Sequence, residues 1–275
     1  MLKDIVVNLA LGAKRNQATD YAVSIADAFQ AHLTGIAVVP EPFVPVTGPM
    51  ETFPADFLDA QRRESERAAK EAVARFAKAA DAAGIAAVAR TVQASSGGAD
   101  SSFGRLARAF DLSVIGQSAP GEFPTDAVIE AALFDSGRPV VAVPYIQKNG
   151  LTLRCVLVCW DGSRAAARAI GDALPLLVRA KAVELVTVQR SEQPSPLKGI
   201  ELAEPLARHK ARVELKHIVS TELDAGNAIL SHAADCGADF MVMGGYGHSR
   251  MREFMLGGMT RTILESMTLP VLMSH

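Results

Sequence analysis

The strongest constraint on the fold is that one pattern of strands and helices runs through the chain twice. The segments Asp111–Gly116 (DLSVIG) and Asp239–Gly244 (DFMVMG) resemble each other, and each is followed by a second matching run, PVVAV from Pro139 and PVLMS from Pro270. Repetition over such a period indicates a tandem duplication, and two copies of about 130 residues fit two domains of ordinary size. The polar, turn-prone segment around 147–150 separates them, so we predict domains at 1–149 and 150–275.

Each copy alternates short apolar runs with segments of helical periodicity. The predicted strands are 3–10, 33–39, 85–93, 112–116 and 140–143 in the first half, and 154–160, 183–189, 213–219, 240–243 and 271–273 in the second. Alternation of this kind predicts parallel strands with helices on both faces. The expected fold is α/β, with two tandem flavodoxin-like (Rossmann-like) doubly wound domains, each built on a five-stranded, mainly parallel sheet.

Composition excludes several classes of function. The 275 residues carry a net charge of −2, which offers no electrostatic footprint for nucleic acid or an anionic membrane. No uncharged apolar run approaches the ~20 residues of a membrane helix. The first residues enter a strand without a signal-peptide pattern, and three cysteines fit a reducing compartment, so we expect a cytoplasmic protein. The six histidines show no metal-ligand spacing, and no metal site is predicted.

The segment Asp239–Thr260 carries the clearest functional signal. A buried strand is followed by Gly244, Gly245 and Gly247, and a second glycine pair precedes a predicted helix at 259–267. Glycines at a strand end and a helix start let backbone N–H groups approach an anion, to which the helix dipole adds. The segment therefore predicts a phosphate-binding loop, most plausibly for a nucleotide.

The predicted topology places a second polar residue near this loop. In such a sheet, ligands bind beyond the carboxyl ends of the strands, here between the first and fourth strands of the copy. Asp161 follows the first strand of the second half, where it could accept hydrogen bonds from an adenine amino group or a ribose hydroxyl. The alternative is that Asp161 is only a turn or N-cap residue before the next helix. The first half has Ala10 at the matching position, and Glu122 between two prolines replaces the glycine loop, so no nucleotide site is expected there.

These residues resemble the nucleotide-binding branch of the universal stress protein family. That motif has glycine, two residues, glycine, nine residues, glycine, and then serine or threonine. Gly244, Gly247 and Gly257 match it, whereas Gly258 stands where the family has the hydroxyl. Asp161 matches the family's adenine-side aspartate, and Val188 matches the valine that bonds the base through its backbone.

The resemblance implies a stress-response protein that binds ATP, with or without Mg²⁺, in its second half and acts without catalysis. Phosphates would contact Gly244, Gly247, Gly257 and Gly258, with Ser249 and Arg250 helping. It also implies that the two domains pack through their final strands and that tandem chains form a homodimer. No catalytic residue, nucleic acid or membrane partner is predicted.

Two other functions stay open from the sequence. The segment Ser96–Ser101 (SGGADS) reproduces a loop of adenylating enzymes. In an adenylating enzyme or a slow ATPase, Asp100 and Ser101 would be the functional residues. However, that loop belongs after the first strand of its sheet, and this one follows the third. The other alternative is a nucleotide-free dimeric scaffold, since the hydroxyl missing at Gly258 would cost about 1 kcal/mol of phosphate binding.

Overall fold

The computed structural model describes residues 2–13, 17–42, 55–95, 98–122, 124–189, 200–219, 225–246 and 258–275. The chain divides into two compact units, Leu2–Ser136 and Gly137–His275. Their division lies before the fifth strand, and the repeat boundary at 149/150 stays a prediction. No described helix has the length and apolar character needed to cross a membrane.

The first unit is a parallel sheet with alternating helices. Its elements are β1 Asp4–Asn8, α1 Gln17–Phe29, β2 His32–Pro40, α2 Ala55–Ala82, β3 Ala87–Ala94, α3 Ala99–Ala107, β4 Leu112–Gly116 and α4 Asp126–Ser136. The strands lie in the order β3-β2-β1-β4, and each neighbouring pair is parallel. Strand β4 is buried along most of its length, whereas the outer strand β3 alternates half-buried and exposed residues, as expected for central and edge positions.

The second unit repeats this arrangement and adds the last strand of the first copy. Its elements are β5 Val140–Val143, β6 Cys155–Cys159, α5 Arg164–Leu177, β7 Ala182–Gln189, α6 Ile200–Arg208, β8 Val213–Val219, α7 Ala225–Asp235, β9 Phe240–Gly244, α8 Gly258–Ser266 and β10 Val271–Ser274. The strand order is β5-β10-β9-β6-β7-β8. The order β8-β7-β6-β9-β10 is that of a flavodoxin-like domain, and the expected fold class is confirmed.

The final strands of the two copies pair with each other. Strand β10 runs antiparallel to β5, with Leu272 opposite Val141. Both strands are buried along their whole length, and apart from Ser274 their residues are apolar. Through this pairing each strand gains a neighbour on an edge that would otherwise expose backbone N–H and C=O groups. The predicted contact between final strands is therefore present, within the unit Gly137–His275.

The aspartate that opens each repeated segment joins two strands at the amino edge of its sheet. The Asp111 carboxylate accepts hydrogen bonds from the backbone N–H of Lys3 and Asp4, at 2.8 and 3.1 Å. The Asp239 carboxylate likewise accepts from the N–H of Arg154, at 3.0 Å, and of Cys155, at 3.2 Å. The aspartates of the repeat therefore satisfy backbone donors where the neighbouring strand begins.

Candidate functional site

The carboxyl ends of three adjacent strands carry the site residues predicted in the second half. Strand β6 lies between β9 and β7, with Val156 opposite Phe240 on one side and Val183 on the other. Asp161 follows β6, Val188 lies near the end of β7, and Gly244 ends β9. The chain leaves β6 toward α5 and β7 but leaves β9 toward α8 and β10, so strand order reverses between β6 and β9. Such a reversal opens a crevice at the carboxyl edge, the usual ligand position in this class of sheet.

Asp161 is an exposed residue that shapes the turn between β6 and α5. Its Oδ1 accepts a hydrogen bond from the Ser163 N–H at 2.8 Å, and Gly162 adopts φ +80° between them. The N-cap of α5 is Ser163, whose hydroxyl accepts from the Ala166 N–H at 3.0 Å. Asp161 is therefore a turn residue and not the N-cap of α5, and its predicted contact with a ligand stays a prediction. A carboxylate offers about four acceptor positions, so the turn bond leaves capacity for a ligand.

Val188 directs its backbone toward the β6 side of β7. The Val186 C=O accepts from the Trp160 N–H at 2.8 Å, beyond the last residue of β6. Successive residues of a parallel strand bond to opposite neighbours, so Val188 points to the same side as Val186. At that level β6 has already ended. The backbone of Val188 therefore faces the region where a base is expected from the sequence.

Gly244 is required by packing. A Cβ added there would lie 2.5 Å from the Ala166 nitrogen and 2.7 Å from the Ala165 carbonyl carbon, both backbone atoms of α5. Only glycine lets β9 approach the first turn of α5 this closely. The first glycine of the motif thus brings the start of α5 against the strand end, which positions the crevice.

A threonine on α8 holds the start of the glycine loop. The buried Thr260 hydroxyl accepts from the Tyr246 N–H at 3.2 Å, and Tyr246 has the left-handed φ of 55°. His275 Nδ1 lies 3.1 Å from the Gly245 carbonyl oxygen on the other side. In the first half, Thr125 Oγ1 makes the matching contact, since it accepts from the Ser118 N–H at 3.2 Å. The roles of Thr260 and Thr125 were not predicted from the sequence, although a threonine near the start of the fourth helix in both copies could have indicated them.

The second glycine pair is described only in part. Gly258 begins α8, is exposed, and has no atom within 4 Å of an added Cβ, so a serine would fit there. Four other predicted contacts, Gly247, Ser249, Arg250 and Gly257, lie outside the described residues. The described part of the candidate site therefore comprises the turn after β6, the end of β7, the end of β9 and the start of α8.

The first half contains an open cavity at the corresponding edge of its own sheet. The cavity has a volume of about 660 Å³ and lies among the ends of β1, β2 and β4, where Asn8, Val38 and Gly116 line it. Its size falls within the usual range for small-molecule pockets. The carboxylate residues Glu64, Asp100 and Glu122 also line it. The first copy thus differs from a phosphate site in chemistry and still has room for a ligand.

The loop resembling that of adenylating enzymes begins α3. Ser96 and Gly97 lie outside the described residues, and the N-cap is Gly98, with no side-chain cap. Neither Asp100 nor Ser101 caps this helix, because both lie inside its first turn. The loop follows β3, an outer strand, which is not the position that the adenylating enzymes use.

Comparison with known proteins identifies the second half. Residues 152–275 match the model of the universal stress protein family. This part of the chain is a universal stress protein domain. The match begins just before β6 and includes Asp161, Val188 and the three motif glycines, Gly244, Gly247 and Gly257.

Two kinds of relative support the assignment. Universal stress protein Slr1230 from Synechocystis sp. is 28% identical over 138 residues, which cover 49% of this chain and 46% of that protein. The match therefore spans about half the length of this curated relative. A universal stress protein structure from Archaeoglobus fulgidus covers 98% of this chain and 94% of its own, at 18% identity and a TM-score of 0.71. A Pseudomonas aeruginosa protein described as functionally unknown covers 98% of this chain and 92% of its own, at 16% identity and a TM-score of 0.60. These likenesses show that the whole chain has the fold of tandem universal stress proteins.

Proposed function

We propose that the second copy binds an adenine nucleotide, ATP with Mg²⁺, and that the protein acts as a non-catalytic stress-response module. The observation that carries the proposal is the convergence of Asp161, Val188 and Gly244 on the carboxyl ends of β6, β7 and β9, at the reversal of strand order. These are three separate positions of the family motif, contributed by three strands of one crevice.

The base and ribose would lie against Asp161 and Val188. The Asp161 carboxylate accepts hydrogen bonds, as an adenine amino group or a ribose hydroxyl requires, and it projects from the turn that ends β6. The Val188 backbone faces the same side. A backbone contact of this kind recognises the edge of a base without depending on the side chain.

The phosphates would lie at the start of α8. Its first N–H groups have no helical partner and carry the positive end of the helix dipole, so they suit an anion. Gly258 is exposed at this end, and we propose that Gly247, Ser249, Arg250 and Gly257 complete the contacts. The hydroxyl missing at Gly258 lowers the expected affinity by about fivefold, which corresponds to about 1 kcal/mol.

Hydrolysis is expected to be slow. The described residues at the start of α8 are Gly258, Met259 and Thr260, and none of these side chains is a general base. Ligand binding rather than turnover would then carry the signal, by changing the surface that a partner protein meets. We further propose that tandem chains of 29.1 kDa associate as homodimers, which light scattering tests directly.

Trp160 offers a direct test of this site. It is the only tryptophan of the chain and lies next to Asp161, so its fluorescence reports on the crevice. Titration with Mg-ATP should change the emission with a micromolar midpoint, and Asp161→Ala should weaken binding at least tenfold. Asp161→Asn keeps an oxygen acceptor for the Ser163 N–H, and it separates loss of charge from loss of the turn.

A charge-matched control lies in the first copy. Asp81→Ala removes one carboxylate from the exposed end of α2 and should leave the midpoint unchanged. Equal midpoints for the wild type and Asp161→Ala would contradict the proposed base site. No response in any variant would favour the scaffold hypothesis.

The cavity of the first copy favours a second binding function. Asp100 and Glu122 line it, and no lysine or arginine is among its lining residues within the part of the chain that the structure describes. Carboxylates repel phosphate, so we propose that this cavity takes an uncharged or cationic small molecule. A screen by thermal shift at low ionic strength tests the idea, with Val38→Trp, which fills the cavity, as the variant that should lose the response. Stabilisation by anionic ligands alone would contradict it.

A further inference from the structure

A cluster of metal-binding side chains lies at the opposite edge of the second sheet from the nucleotide crevice. The Sγ atoms of Cys155 and Cys236 and a carboxylate oxygen of Glu184 all lie within 4.8 Å of one another. Cys155 begins β6, Glu184 lies in the amino-terminal part of β7, and Cys236 follows the last turn of α7. Three elements therefore bring two sulfurs and one oxygen to a common point.

A fourth residue fixes the orientation of the carboxylate. His232 Nε2 is hydrogen-bonded to Glu184 Oε1. His232 and Cys236 lie four residues apart, and the Cys236 N–H donates to the His232 carbonyl at 2.9 Å, so both face the sheet from one turn of α7. Carboxylate ligands of metal sites are commonly held by such outer hydrogen bonds.

Burial makes an uncompensated carboxylate costly at this position. The Glu184 side chain is 12% exposed, and it lies between the buried Val183 and Leu185 of β7. Burying a charge requires a partner of opposite charge or several donors. His232 supplies one donor, whereas the two neighbouring thiols are weak donors. A divalent cation among the three atoms would coordinate the carboxylate oxygen directly and use both sulfurs as further ligands.

The chemistry of the three donor atoms indicates which class of metal ion the site would bind. Two thiolates with one carboxylate suit a borderline-soft divalent ion such as Zn²⁺ and do not suit Mg²⁺ or Ca²⁺. With Zn–S bonds of about 2.3 Å and Zn–O bonds of about 2.1 Å, tetrahedral ligands are about 3.6–3.8 Å apart. The present separations, all within 4.8 Å, exceed this by at most about 1 Å, which side-chain rotation can close.

We propose that Cys155, Cys236 and Glu184 form a Zn²⁺ site, with His232 as a positioning residue that holds Glu184. On binding, each thiol releases its proton to solvent as its S–Zn bond forms. Two protons leave as one Zn²⁺ binds, so the net charge of the site stays at −1. A water molecule would complete the four-coordinate site, which the partly exposed cysteines make accessible. The site ties β6, β7 and α7 together at the amino edge of the sheet. It is independent of the nucleotide proposal.

The spacing of cysteine and histidine could not reveal this site. Along the chain the ligands are separated by 29 residues from Cys155 to Glu184 and by 52 from Glu184 to Cys236, and only His232 with Cys236 shows a helical spacing. The expectation that the chain lacks a metal site rested on histidine spacing alone. The parallel pairing of β6 with β7 and the return of α7 bring the donors together.

The test is titration of the reduced full-length chain with Co²⁺, in the presence of a non-thiol reductant. One equivalent should bind and give the intense thiolate-to-cobalt absorption of a sulfur-ligated tetrahedral ion, and Zn²⁺ should displace it. Cys155→Ser and Cys236→Ser should each abolish this absorption. Cys159→Ala removes the third cysteine, from the same strand as Cys155, and should leave the absorption unchanged. Circular dichroism establishes that each variant is folded.

His232 needs a readout of its own. His232→Ala should weaken Co²⁺ binding by about 10–100-fold while the absorption spectrum keeps its shape, and His232→Gln, which can still donate to Glu184, should recover part of the affinity. An effect on thermal stability without a change in affinity would show that His232 is only structural.

Alkylation of the wild type keeps the proposal testable if a cysteine variant does not fold. Zn²⁺ should protect Cys155 and Cys236 from iodoacetamide, as measured by peptide mass spectrometry. The proposal is overturned if reduced wild-type protein gives no thiolate-to-cobalt absorption, if the absorption persists in Cys155→Ser, or if the cysteines only form a disulfide and do not bind metal when reduced.

Discussion

The packing of Gly244 against α5 predicts that the two copies of one glycine position respond differently to the same mutation. In Gly244→Ala the new Cβ would lie 2.5 Å from the Ala166 nitrogen and 2.7 Å from the Ala165 carbonyl carbon. Both are backbone atoms, so β9 and α5 must move apart. Overpacking of this kind costs about 1–3 kcal/mol of unfolding free energy. At the matching Gly116, the nearest atom to an added Cβ is the Ala18 Cβ, at an ordinary 3.4 Å.

Urea unfolding followed through Trp160 measures the effect in the second unit, which contains the only tryptophan. Gly244→Ala should lower the unfolding free energy of that unit by about 1–3 kcal/mol, whereas Gly116→Ala should leave the Trp160 transition within about 0.5 kcal/mol of the wild type. Circular dichroism follows the first unit in the control. Comparable stability for wild type and Gly244→Ala would refute the argument that backbone contact with α5 requires glycine.

Three further predictions concern Gly258, Thr260 and Cys159. Gly258→Ser restores the family hydroxyl at a position with no atom within 4 Å of its Cβ, so Mg-ATP affinity should rise about fivefold by calorimetry, and no change would place the phosphates elsewhere. Thr260→Val removes the hydroxyl that accepts from the Tyr246 N–H and should cost about 1–3 kcal/mol in urea unfolding, whereas Thr260→Ser keeps the hydroxyl and should retain most of that stability; a larger loss in Thr260→Ser than in Thr260→Val would assign the effect to the methyl group instead. Burial raises the pKa of the Cys159 thiol to about 12, so between about pH 9 and 12 the unfolded chain loses this proton and the folded chain keeps it. The unfolding free energy should therefore fall in this range, by up to about 1.4 kcal/mol per pH unit, relative to Cys159→Ala. Parallel profiles of unfolding free energy against pH for the two proteins would contradict this.

The alternation of strands and helices predicted the fold because buried parallel strands and amphipathic helices leave clear periodic signals. All ten predicted strands are present, and β9 at Phe240–Gly244 lies within one residue of its predicted bounds. The pairing of β5 with β10 followed from the resemblance to the family. The grouping of β5 with the second unit could not be predicted, because an antiparallel contact between the copies leaves no periodic pattern in the sequence of either strand.

The candidate site could be predicted where the backbone conformation or packing requires a particular residue type, such as glycine. Gly244 was identified as a site residue from its motif, although the structure shows that contact with α5 requires it. Asp161 was placed at the correct strand end, and the turn it forms could be foreseen from the Asp-Gly-Ser sequence. Thr260 was missed because a single hydroxyl–backbone bond between residues 14 positions apart leaves no periodic pattern, and its sole trace is a threonine near the start of the fourth helix in both copies. The Cys155, Glu184 and Cys236 cluster was missed for the same reason, since only the tertiary fold brings its members together.

The central claim is that one nucleotide binds per chain, in the second copy. Calorimetric titration of the full chain with Mg-ATP, repeated with Asp161→Ala, tests it most directly. The account predicts a single site of micromolar affinity that is lost in the variant. Two sites per chain would contradict the assignment of the first copy as a non-nucleotide cavity. The absence of heat over a range of temperatures would contradict nucleotide binding itself.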